Sequence, residues 1–171
     1  MEINGYIIEL LQILKREIQS LNAISELLIL EEKSLVEFDT MSLSKLIEKQ
    51  EDVFSSIACL EKSRHDVLIK ICEQTGDKPG TLTVSRLSTM VDDPLRKKLV
   101  ETGHVLNAIY EDISLKKTSN AMLIKQGIML VESDISVILK AVGKTEPGKP
   151  VYSSNAQTNR PTRSYCIDGR M

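Results

Sequence analysis

The sequence has no tryptophan and, over 171 residues, only two phenylalanines and four tyrosines. Compact globular cores lean on aromatic area, so a core here has to be built from leucine and isoleucine. That favours long helices meeting along narrow seams over a deep spherical interior. Cysteine is scarce too. Cys59, Cys72 and Cys166 are odd in number and lack CxxC spacing, which argues against a disulfide framework or a structural zinc site and fits a reducing compartment. No uninterrupted apolar run approaches membrane-spanning length, and Met1-Glu2-Ile3-Asn4-Gly5 carries an acid where a signal peptide needs a basic stretch. A soluble, cytoplasmic protein is the expectation. A basic stripe is also missing: the net charge of −2 divides into +3 over residues 143–171 and −5 over residues 1–142. With no interleaved aromatics in the helical part to follow a phosphate backbone, a nucleic-acid binder is not expected, the basic tail alone being a candidate.

What the sequence does have is helical periodicity. From about residue 3 to 38, apolar side chains alternate at spacings of three and four, with Ile7, Leu14, Leu21, Leu28 and Leu35 on one heptad position. Ile3, Leu10, Glu17, Ile24, Glu31 and Phe38 fall on its companion, and Leu11 and Ile18 widen the stripe. After cap chemistry at Asp39, Thr40 and Ser42, the pattern resumes through Leu43, Leu46, Val53, Ile57, Leu60, Val67 and Ile71, ending near Glu73. The break holds neither Gly nor Pro, so a hairpin and a continuous kinked helix are both open, with the hairpin preferred. Thr75-Gly76-Asp77-Lys78-Pro79-Gly80 is a clear breaker, Thr81 to Met90 can hold a short helix, and Asp92-Asp93-Pro94 starts a third long one. Its seam runs Leu95, Leu99, Leu106, Tyr110, Ile113, crosses a polar patch at Lys116–Asn120 where a bend is plausible, and resumes as Ile124, Ile128, Val131, Ile135, Ile138 and Val142. The fold class is therefore all-α: an elongated antiparallel bundle or coiled coil of three long helices plus one short one over residues 1–142. Residues 143–171 form a basic tail whose Gly, Pro, Ser, Asn and Thr cannot bury enough apolar area to order it.

Several fragments imitate chemistry. Gly143-Lys144-Thr145 ends like a phosphate-binding loop, but its first glycine would be Ile138 and a helix precedes it. Glu101-x-x-His104 has di-iron spacing, yet such a site needs a second copy and further glutamates, and His65 follows Glu61 by four positions. No metal or cofactor is expected. His65 beside Arg64 could serve a histidine phosphotransfer module, although the residues after it, Asp66, Val67 and Leu68, are not the small ones such a site keeps. No nucleophile, base and orienting group assemble elsewhere, so the chain is read as a binding protein and not an enzyme.

The last helical stretch holds more apolar surface than one seam requires: Ile128-Met129-Leu130-Val131 and Val137-Ile138-Leu139 are consecutive. Either both faces are core, or the excess is a surface for an amphipathic segment of a partner, for which Met122 and Met129 are suited. Leu60-Glu61-Lys62-Ser63-Arg64, Asn120-Ala121-Met122-Leu123-Ile124 and Pro150-Val151-Tyr152-Ser153-Ser154-Asn155-Ala156-Gln157-Thr158 carry a further likeness. Through these stretches and its helical layout, the chain resembles the FlgN-like flagellar export chaperones. Tyr152, Asn155 and Gln157 stand where family members carry a tyrosine, an Asp or Asn and a Gln, while Ala156 replaces a Gly.

The resemblance implies a chaperone that binds C-terminal helical segments of hook-filament junction proteins, prevents their premature assembly and delivers them to the type III export apparatus. Client capture would map to Ile128, Met129, Val131, Ile135, Ile138, Leu139 and Val142, and export-gate contact to Tyr152. A self-associating coiled-coil adaptor, in which this surface pairs with a second copy, is the alternative, and a homodimer remains open.

Overall fold

A computed structural model of the chain describes residues 3–78 and 80–142. They form α1 (Ile3–Val36), α2 (Thr40–Thr75), α3 (Val84–Ser88) and α4 (Asp93–Ala141), with no strand among the described residues. The expected layout of three long helices and one short one is present. The tail expected at 143–171 lies outside the described residues.

The connection between α1 and α2 reverses the chain without glycine or proline. Asp39 N–H donates to Ser34 O at 2.9 Å and Phe38 N–H to Leu35 O at 3.4 Å. This is the Schellman pattern, which satisfies the last carbonyls of a helix and needs a left-handed residue at its hinge. Phe38 takes that place, at φ 56°. The helix expected to reach residue 38 thus stops at Val36, and Phe38, expected on the buried seam, is 68% exposed. Asp39 then caps α2 by accepting from Ser42 N–H at 3.0 Å and from the Ser42 hydroxyl. Both bonds favour the ionised carboxylate and hold its pKa below the ordinary value.

The paired helices run antiparallel, as the preferred hairpin requires. Gln50 Nε2 donates to Glu31 Oε2 at 2.8 Å, and Arg64 Nε lies 3.6 Å from Glu17 Oε2, so positions rising along α2 meet positions falling along α1. Ile7, Leu10, Leu14, Leu21, Ile24 and Leu28 of α1 are buried, as are Ile57, Val67 and Ile71 of α2. Each such side chain contributes about 1.5–3 kcal/mol by leaving water. Gly76, left-handed at φ 73°, ends α2 and donates its N–H to Cys72 O at 2.9 Å.

The segment between α2 and α4 adds Leu82, Leu87 and Val91 to the same core. Thr83 caps α3 by accepting from Arg86 N–H, and the Arg86 guanidinium pairs with Asp77 at 3.3 Å across the loop. Gly103 of α4 lets α3 come close: a Cβ there would meet Val84 at 3.4 Å. Leu99 and Leu106 bring α4 into the core. Tyr110, Lys116 and Asn120 of α4 meet Glu17, Ser25 and Leu28 of α1 in rising order, so α4 runs parallel to α1 here.

The described chain divides into two units, residues 3–124 and residues 125–142. The first is the bundle described above; the second is the C-terminal stretch of α4 and Val142. No helix among the described residues is long and apolar enough to cross a membrane.

Candidate protein-docking face

Within the bundle, polar side chains tie the helices together at sites that a leucine-seam reading passes over. Glu17, at a core heptad position, is only 1% exposed. Tyr110 of α4 donates its hydroxyl to Glu17 Oε1 at 3.0 Å, and Arg64 of α2 faces Oε2, so one carboxylate joins all three long helices. Burial, and next the Glu17 charge, push the Tyr110 phenol well above its ordinary pKa. Two turns on, Ser25 donates to Asp112 Oδ2 at 2.7 Å and accepts from Lys116 Nζ at 2.6 Å, while Lys116 also pairs with Asp112. The Lys116 and Ser25 bonds hold the Asp112 carboxyl below its ordinary pKa. Asn120, 3% exposed, donates to the backbone carbonyl of Leu28 at 3.0 Å, and Ser119 donates to Glu32 at 3.3 Å. The polar patch at 116–120, where the sequence admits a bend, is therefore the surface by which α4 recognises α1. Helix α4 continues through it without a break.

These groups fix the register of the three long helices. His65, Glu101 and His104 are all exposed, and no cluster of three potential metal ligands occurs among the described residues. A shallow groove of about 560 Å³ runs between α1 and α2, lined by Ser20, Ala23, Ser56, Cys59 and Ser63 among others. Cys72 is buried, and that burial raises its thiol pKa.

Residues 125–142 differ in kind. Ile128, Met129, Val131, Ile135, Ile138, Leu139 and Val142 are all exposed, by 37% to 64%, and so are Leu130 and Val137. Apolar side chains exposed singly are ordinary; nine within fifteen consecutive positions are not. At 3.6 residues per turn, Ile128, Val131, Ile135, Ile138, Leu139 and Val142 share one stripe about 100° wide. Met129 lies off its edge, and Leu130 and Val137 form a second, narrower strip. Glu132 and Asp134 border the main stripe, one on each side. Of the two readings of this stretch, burial of both faces in the bundle does not hold, because neither strip is buried. Tyr152 lies outside the described residues.

The chain matches the family of the FlgN protein over residues 1–160, nearly its whole length. It belongs to the FlgN family. No curated protein and no solved structure matches it. Membership gives this FlgN-family chain a general role as a flagellar export chaperone. It also bears out the likeness read from the tail and helix motifs. The bundle of residues 3–124 and the exposed stripe of 125–142 are both inside the family match.

Proposed function

We propose that this FlgN-family protein is a cytoplasmic chaperone of hook-filament junction proteins. It holds their C-terminal helical segments on the stripe of Ile128, Val131, Ile135, Ile138, Leu139 and Val142, with Met129 at its edge, and so keeps them from assembling before export. Tyr152 serves the later step, contact with the export gate. The observation that carries this reading is the exposure of that stripe in a chain of this family. An amphipathic client helix laid along it would remove from water the surface that the chain by itself leaves wet. Transfer requires release, and affinity from a single helical stripe is modest enough to permit it.

The test is a pull-down of hook-filament junction proteins by the full chain, by Ile135→Asp and by Tyr152→Ala. The wild type captures them, Ile135→Asp loses them, and Tyr152→Ala retains the client but fails to engage the export gate. Failure of the wild type to capture any junction protein would overturn the client assignment.

A further inference from the structure

The borders of the apolar stripe carry information about its occupant. We infer that the stripe accepts a helix from a different protein whose own apolar seam is flanked by Lys or Arg, and that it rejects a second copy of this chain. This rests on the docking reading above. Ile128, Val131, Ile135, Ile138 and Val142 repeat at spacings of three and four, the seam of a coiled coil. Glu132 and Asp134 occupy the two flanking positions at the middle of that seam, both exposed and neither in an ion pair among the described residues.

A second copy fits poorly in either direction. Laid antiparallel with the seams in register, Glu132 would face Glu132 of the other copy and Asp134 would face Asp134. Like charges would then oppose each other on both borders at the centre of the contact. Laid parallel, the flanking positions bring Asp134 opposite Leu139 and Glu132 opposite Gly127, which offers no attractive pair. Every seam side chain is also β-branched, and β-branched residues at both seam positions pack poorly in a parallel two-stranded coil. A foreign helix with basic borders meets both acids in either direction, because each would lie beside a cation at a flank. Such pairs set partner choice more than raw affinity.

Three synthetic helices with one shared Ile/Leu seam and Lys, Gln or Glu at the flanks would be titrated against the full chain, with fluorescence anisotropy as the readout. The Lys-flanked helix should bind about tenfold more tightly than the Glu-flanked one at low salt, with Gln between them and the gap narrowing as salt rises. Glu132→Lys with Asp134→Lys should invert the order; both side chains are exposed, so the fold is kept. Equal binding of all three, abolished by Ile135→Asp, would overturn the charge assignment and leave the docking face standing. Capture of junction proteins with no effect of the double charge reversal would also overturn it. Concentration-dependent dimerisation by sedimentation, abolished by Ile135→Asp, would overturn it in favour of a second copy. If no helix binds and no junction protein is captured, the docking reading fails with it.

Discussion

At the scale of single residues, the bundle is organised around one buried carboxylate. Glu17 is tolerated inside because Arg64 and Tyr110 converge on it from the two other long helices. Removing one partner leaves a charge in a low-dielectric setting, which costs far more than the intact pair contributes. Arg64→Ala should therefore destabilise residues 3–124 by about 3 kcal/mol in urea unfolding. Replacing Glu17 and Arg64 with leucine and Tyr110 with phenylalanine together should be close to neutral. Tyr110 adds a signature in alkali. Its phenol pKa is raised in the folded state, so the stability it contributes is present below the unfolded value of about 10 and is lost as pH climbs above it. Ultraviolet titration should show a tyrosine component that ionises well above the ordinary phenol range, absent from Tyr110→Phe. At the acid end the sign reverses. The Asp112 pKa is lowered, so its contribution is present above the unfolded value of about 4 and is lost as pH falls below it. Asp112→Asn should flatten that part of the pH–stability curve.

At the scale of elements, both ends of α2 were legible to within about two residues, because cap and breaker residues act locally. Leu14, Leu21, Leu28, Ile57 and Ile71 were legible as core for the same reason: helical spacing alone decides which face they share. Phe38 was not legible. Its heptad position points to the seam, but the chain must turn there, and the demand of the Schellman hinge overrides the periodicity. A bulky residue held left-handed carries strain that glycine would not. Phe38→Gly should thus raise stability by about 1 kcal/mol, read as a higher urea midpoint at constant m-value. The polar layers were hidden too. Ser25, Asp112, Lys116 and Asn120 are ordinary surface residues by type, and only the pairing of α4 with α1 gives them partners, about 90 positions apart in sequence. In the second unit, Gly127 sits inside α4 with open space where a Cβ would be. Gly127→Ala should stabilise that helical stretch by about 1 kcal/mol and slow amide exchange across residues 125–141.

At the scale of the whole molecule, two kinds of surface divide the work. In the bundle of residues 3–124, apolar seams are closed and polar groups lock register. In residues 125–142 the apolar groups remain open. The stripe could be read from the sequence because its spacing is regular. Whether it was core or open surface could not, because that depends on what the rest of the chain leaves uncovered. Family membership supplies the setting, flagellar export, and under the function proposed above the exposed stripe is where the client lies. The central claim is that the client helix lies on this stripe. Amide hydrogen exchange of the full chain, with and without a hook-filament junction protein, tests it most directly. The account predicts strong new protection across residues 125–141 with little change in α1 and α2. Protection confined to α1 and α2, with residues 125–141 exchanging as in the free chain, would contradict it.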